Sequence, residues 1–202
     1  MEEREKQYLI DFYRKNYETF GDSIQALAWY NRETQAKRFE IFTSFYDIND
    51  SSIIDIGSGL GDFWEYLKNH GYNVKYTGID IVPDFVERAK NKYCGEADFF
   101  CMDLKEVKNN YDYVFASGTF NHKQKNNEKY IIKAINIMFN IAAKGVIFNL
   151  LSIYTPSNMK DNKMFYYYDP EKIVEYARKL TNKVLIKHDY LPNDFTIGFR
   201  KD

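Results

Sequence analysis

The stretch Ser52-Ile-Ile-Asp-Ile-Gly-Ser-Gly-Leu-Gly-Asp-Phe63 constrains this chain more than any other. Ile53, Ile54 and Ile56, with only Asp55 among them, read as a strand buried on both faces, as in a parallel sheet. Gly57, Gly59 and Gly61 then alternate, and the amphipathic Phe63-Trp-Glu-Tyr-Leu67 follows at once. Strand, glycine turn and helix in this order bring a ligand close to bare backbone and to the unpaired N–H groups of a helix start. A second strand, Val74 to Ile79, ends on Asp80, roughly twenty residues on, the usual spacing of a carboxylate that holds ribose hydroxyls.

The glycine spacing separates two ligand classes. A dinucleotide fingerprint needs G-x-G-x-x-G, but the frame here is G-x-G-x-G and Asp62 stands where the third glycine would be. A carboxylate there repels a pyrophosphate and attracts an ammonium or sulfonium. A nicotinamide-linked oxidoreductase is therefore the disfavoured alternative. The pattern Asp55-x-Gly57-x-Gly59-x-Gly61, with Asp80 after it, resembles the first two motifs of the class I S-adenosylmethionine-dependent methyltransferases, in their small-molecule form.

The rest of the chain is in keeping with that resemblance. Its 202 residues, 45% hydrophobic, are read as one domain with a substantial core. A helical lid would occupy 1–46 and a methyltransferase core 50–202. A net charge of −1 provides no general basic field for nucleic acid. Cys94 and Cys101 show neither metal-ligand nor disulfide spacing, no apolar run reaches the length of a membrane span, and the start of the chain is charged. The expectation is a cytoplasmic protein without metal, its oligomeric state open.

Glu2 to Tyr17 reads as a first helix, and Ser23 as the N-cap of a second that carries Leu27, Ala28, Ala36, Phe39 and Phe42 on one face. Strands then alternate with helices: Ala97 to Met102 ending at Asp103, Tyr111 to Ala116, a helix from Ile131 to Ala142 stopped by Gly145, and a fifth strand, Val146 to Leu151. Ser152 to Tyr168 has no periodicity and reads as a long functional loop. A helix from Asp169-Pro170 precedes a terminal hairpin, Val184 to His188 and Phe195 to Phe199. Alternation of this kind gives an α/β fold, a Rossmann-like parallel sheet with helices on both faces. The hairpin matches the antiparallel last strand that the resemblance implies for a seven-stranded methyltransferase sheet.

Ligands of open α/β sheets bind beyond the carboxyl ends of the parallel strands. The resemblance implies a site for S-adenosyl-L-methionine built from Asp55, Gly57, Ser58, Gly59 and Gly61, from Asp80 and Ile81, from Met102 and Asp103, and from Ala116 and Ser117. Asp103 reads equally as a helix cap. Trp29, Gln35 and Arg38 would line the lid, with Arg38 either pairing with the cofactor carboxylate or packing as a surface arginine. Phe120, Asn121, Asn149, Tyr168 and Asp194 are candidates for the acceptor site. His122, after the strand nearest the methyl, and His188, beside two carboxylates, are the candidate general bases, because histidine titrates near neutrality.

Ser117 lacks the context of a nucleophile elbow, and no N-P-P-Y-type sequence follows the fourth strand. The expected function is methyl transfer to a small polar acceptor, with O-methylation ahead of N-methylation. A non-catalytic binding protein of the same fold is the second reading.

Overall fold

Residues 1–201 are described by the computed structural model. Its centre is a seven-stranded sheet in the order β3-β2-β1-β4-β5-β7-β6. The strands are β1 (Ser51–Ile56), β2 (Val74–Asp80), β3 (Asp98–Cys101), β4 (Tyr111–Ala116), β5 (Ala142–Leu151), β6 (Val184–Leu191) and β7 (Asp194–Arg200). The first five pair in parallel, while β7 runs antiparallel between β5 and β6. The chain reverses its direction of travel across the sheet between β1 and β4, so the crevice for a ligand opens at their carboxyl ends.

Six helices accompany the sheet: α1 (Glu3–Phe20), α2 (Arg32–Thr43), α3 (Asp62–Asn69), α4 (Pro83–Lys92), α5 (Asn127–Ile141) and α6 (Pro170–Arg178). One core packs Ile131, Ile135 and Met138 of α5 and Ile173 of α6 on Val114, Phe148 and Phe199 of the sheet. A second packs Phe39 and Phe42 of α2 and Phe63 of α3 on Ile53, Phe115 and Ile147. Helices thus cover both faces, as alternating strand and helix requires.

Three boundaries differ from the sequence reading. Ser23 does not start a second long helix. It precedes a 3-10 turn, Ile24–Leu27, which Ala28 ends in the left-handed region at φ 56°, and α2 begins afresh with Asn31 accepting from the Thr34 N–H. Gly145 does not stop α5, which passes directly into β5 at Ala142; Gly145 is a strand residue opposite Arg200. The hairpin strands are longer than expected, leaving only Pro192 and Asn193 between them. The aperiodic 152–168 segment is nonetheless fixed, bridging Ser152 to Tyr168 and His122 to Phe165.

Candidate active site

At the end of β1 the backbone turns so that the Gly57 and Ser58 N–H groups both donate to the Ile79 carbonyl, at 2.8 and 3.0 Å. Gly57 sits at φ +73°, and a Cβ there would lie 2.5 Å from Thr119 Oγ1. At Gly59, φ is +54° and a Cβ would lie 2.8 Å from a Leu27 methyl. Only glycine meets both the dihedral and the closeness of the neighbour. Asp80 locks the turn: Oδ2 accepts from the Gly59 N–H at 2.9 Å and Oδ1 from the Val82 N–H at 2.9 Å. Burial raises the Asp80 carboxyl above its ordinary range, and those backbone donors oppose the shift.

Asp55 is buried behind the turn. Its Oδ2 accepts from Tyr76 Oη at 2.7 Å, while Oδ1 has no partner among the described residues. Burial pushes its carboxyl up to about 7; the Tyr76 hydrogen bond pulls it down, and the charges of Asp80 and Asp62 push it further up. Ser58 Oγ and Ser117 Oγ are also buried without a partner. Orphaned polar groups around a cavity are what a polar, partly cationic ligand would satisfy.

The cavity above the turn measures about 900 Å³, near the upper end of the ~300–1,000 Å³ of small-molecule sites. Its floor is formed by the ends of β1, β2 and the segment after β3, and its roof by α1, the 3-10 turn, α2 and the 152–168 segment. Trp29 lies over Gly118, where a Cβ would meet its ring at 3.0 Å, and the Arg38 guanidinium sits 4.6 Å from the Trp29 ring centre. Gln35 Nε2 donates to Asp62 Oδ2 at 2.9 Å, tying α2 to the start of α3.

Opposite the glycine turn, Tyr13 Oη and His122 Nε2 are 2.7 Å apart, joining α1 to the loop after β4. Both line the cavity. The His122 ring is packed among Phe12, Tyr13 and Phe165. Burial lowers its pKa to about 4, so the imidazole is neutral at physiological pH. Burial, with the nearby Asp80 charge, raises the Tyr13 phenol.

Most of the expected cofactor residues meet here: Trp29, Arg38, Asp55, Gly57, Ser58, Gly59, Asp80, Ile81, Met102, Asp103 and Ser117 all line the cavity, as do Phe120, Asn121 and His122. Gly61 and Ala116 stand just behind it, Gly61 as the left-handed residue that opens α3 and Ala116 buried in the core. Asp103 does both things its sequence allowed: it caps the turn at Leu104–Glu106, accepting from the Lys105 N–H, and also lines the cavity.

Other expectations are corrected. Asp194 is fully buried away from the cavity, paired with Arg38 and accepting from Asn149 Nδ2 at 3.3 Å. Arg38 is accordingly not a surface arginine: its terminal nitrogens go to Asp194 and the Thr34 carbonyl, while its buried Nε has no partner among the described residues. Asn149 does not reach the cavity either, because its Oδ1 accepts from the Gly118 N–H at 2.8 Å. Tyr168 donates to the Phe120 carbonyl at 2.8 Å and holds the loop from behind. His188 lies on β6 beside a separate shallow pocket with Lys37 and Asp189, which removes it as a base in this cavity. Of the hairpin connection only Asn193 lines the cavity.

Sequence reasoning missed Tyr13 as a site residue. It falls four residues after Leu9 on an apolar stripe, and its hydroxyl meets a histidine 109 residues away, which no local pattern reveals. Phe165 was hidden in the aperiodic segment. Gln35 was legible as a lid residue, but its bond to Asp62 was not.

The comparisons with known proteins agree with this geometry. Residues 53–139 match the family described as Methyltransferase domain. A protein of Mycobacterium tuberculosis named as a methyltransferase is 34% identical over 158 residues, covering 74% of this chain and 93% of that one. Among solved structures, the magnesium protoporphyrin IX methyltransferase of Synechocystis with bound S-adenosylmethionine superposes with a TM-score of 0.68 at 14% identity, over 98% of this chain and 97% of that one. The plantazolicin methyltransferase BpumL gives 0.66 at 17% identity over the whole of both chains. The chain belongs to the class I S-adenosylmethionine-dependent methyltransferases, an enzyme class whose cofactor is S-adenosyl-L-methionine. Among the described residues no helix is long and apolar enough to cross a membrane, and no cluster of side chains could hold a metal ion.

Proposed function

We propose that the chain methylates a hydroxyl oxygen of a small molecule, with His122 and Tyr13 removing the acceptor's proton. The observation that carries this reading is the 2.7 Å Tyr13–His122 contact in the same cavity as the glycine turn. S-adenosyl-L-methionine, when bound, would supply a methyl on a positive sulfur, which would keep the electron pair of the broken carbon–sulfur bond as the acceptor oxygen gains the methyl.

The chain's residues fit such a group. Asp80 has lone pairs left for ribose hydroxyls after accepting two backbone N–H groups. The unpartnered Asp55 Oδ1 suits an ammonium. Ile81, Met102 and Asp103, which line the cavity, would hold an adenine. Across the cavity, Tyr13 Oη accepts the acceptor's hydroxyl proton while passing its own to His122 Nε2, so that the oxygen is electron-rich when the methyl is presented. No covalent enzyme intermediate is required.

Calorimetry with S-adenosylhomocysteine and NAD side by side tests the cofactor assignment, and a preference for NAD overturns it. Once an acceptor is known, His122→Ala lowers kcat by about 10²–10⁴-fold with S-adenosylhomocysteine affinity intact. An unchanged kcat removes the pair from the mechanism.

A further inference from the structure

We propose that the acceptor is a neutral, flat aromatic molecule bearing a phenolic hydroxyl, held in the outer half of the cavity. This rests on the methyltransferase reading above and narrows its substrate class. Three independent features of the cavity lead to it.

Charge comes first. Among the described residues Arg38 is the only Lys or Arg side chain lining the cavity, and Asp194 pairs with it. Asp55, Asp62, Asp80, Asp103 and Asp161 line the same space. Apart from the amino group of Met1, which also lines the cavity, an entering phosphate or carboxylate would meet acidic groups and no unpaired Lys or Arg among the described residues, an arrangement that favours neutral ligands. An acceptor that adds a further anionic group to the cofactor's own carboxylate is disfavoured on that ground.

The outer walls are apolar or aromatic. Phe165, Tyr167 and Met159 come from the 152–168 segment, and Phe20 and Tyr30 from the lid, so rings approach from two separate parts of the chain. Tyr30 is 90% exposed and Met159 48%, large side chains left uncovered at the rim of a cavity. Such surfaces offer ring faces, ring edges and a thioether to a flat π-system. Two of the polar groups there are already committed, Asn121 to the Leu151 N–H and the Gly118 carbonyl and Tyr167 Oη to the Asp161 N–H, which leaves Gln25, Asn158 and Asn193 as the amides along these walls.

The third feature is the acid–base pair. His122 is dry, ringed by aromatics and neutral. A base of that kind takes a proton from a phenol far more readily than from an aliphatic alcohol, since the proton-transfer driving force follows the difference in acidity.

The full chain, saturated with S-adenosylhomocysteine, is titrated by calorimetry with naphthol, naphthoate and glucose. Naphthol is expected to bind at least about tenfold tighter than the other two. Tyr30→Ala and Met159→Ala, both at exposed positions that leave the core untouched, should each weaken naphthol about threefold and leave S-adenosylhomocysteine affinity unchanged. Equal or tighter binding of naphthoate or glucose overturns the proposal, as does the absence of naphthol binding or its indifference to both substitutions. If S-adenosylhomocysteine itself does not bind, the cofactor reading fails, and the three titrations on the ligand-free chain still decide the acceptor class.

Discussion

At the ends of β1 and β2 the cavity wall is backbone, shaped by glycine dihedrals and held by Asp80, whose two oxygens each take an N–H. Across from it the wall is side chain: rings and a thioether from α1, the residues between the 3-10 turn and α2, and the 152–168 segment. The floor is built from strand ends whose position the sheet hydrogen bonds dictate. The roof is attached through tertiary contacts between distant segments, and its shape depends on which rings those segments carry. A family can therefore keep its cofactor while changing its acceptor, because the two walls belong to different layers of the fold.

The two halves are joined at a seam, where Arg38 of α2 meets Asp194 of β7, with Asn149 linking Asp194 to Gly118. This seam is where the comparison breaks most easily. Asp194→Ala leaves a buried guanidinium unpaired and is expected to destabilise the protein by about 3–5 kcal/mol. An Arg38→Met, Asp194→Leu double variant should recover most of that loss in denaturant titration, since an apolar pair of similar volume replaces both charges. A loss under about 1 kcal/mol in the single variant would mean that the roof does not depend on this pair.

The floor is sharpened by pH. Asp55 has a folded pKa of about 7 against an ordinary value of 3.8. Between those values the unfolded chain has released a proton that the folded chain keeps, so stability falls as pH rises through that window. His122, lowered from 6.5 to about 4, acts oppositely: its contribution is present above 6.5 and lost as pH falls toward 4. Asp55→Asn removes the first slope and exposes the second. The ligand-free variant should be more stable than the parent at pH 7, by at most about 4 kcal/mol, and its stability should rise with pH between 4 and 6.5. A variant no more stable than the parent at neutral pH would show that Asp55 is ionised without a ligand.

How much of this was readable from the residues follows the same division. The glycine turn, Asp80, the ends of β3 and β4 and the antiparallel terminal hairpin are all local patterns: apolar runs, a fixed spacing, a change of period. Such patterns are enough to locate the floor. The roof was misread wherever a long-range contact decided the outcome. Leu27 and Ala28 looked like successive members of a helix face, but Leu27 packs on Gly59 and Ala28 turns left-handed to end the 3-10 turn. Asp194 and Asn149, polar residues near strand ends, looked like ligand contacts; each instead satisfies a buried partner elsewhere in the chain. Gly145 looked like a stop because glycine often ends helices, but in β5 it makes room for the backbone and side chain of the facing β7 residues.

A smaller effect tests the glycine side of the comparison directly. Gly59→Ala places a methyl 2.8 Å from Leu27 at a left-handed dihedral. S-adenosylhomocysteine affinity is expected to fall about tenfold, near 1.4 kcal/mol, measured by calorimetry. Leu27→Ala in the same chain relieves the clash but not the dihedral, so it should restore only part of that loss. Full restoration would assign the effect to crowding from the roof rather than to the backbone of the floor.

The smallest expected effect concerns how the roof is held down. Arg14 of α1 bonds Asp84 of α4 at 3.0 Å, and Arg88 of α4 pairs with Asp22 just after α1. All four side chains are between 36% and 45% exposed, so solvent and salt screen these ties and little global stability rests on them. Their removal should show in local opening instead. Arg14→Met with Asp22→Asn is expected to leave the melting temperature within about 2 °C, while amide exchange along α1 speeds by roughly two- to fivefold and that of β1 and β2 stays unchanged. Raising the salt concentration should reproduce the acceleration in the parent and add nothing in the variant. Equal acceleration in the sheet would mean that roof and floor open together as one cooperative unit, and the distinction between a floor fixed by the sheet and a separately held roof would then be one of composition alone.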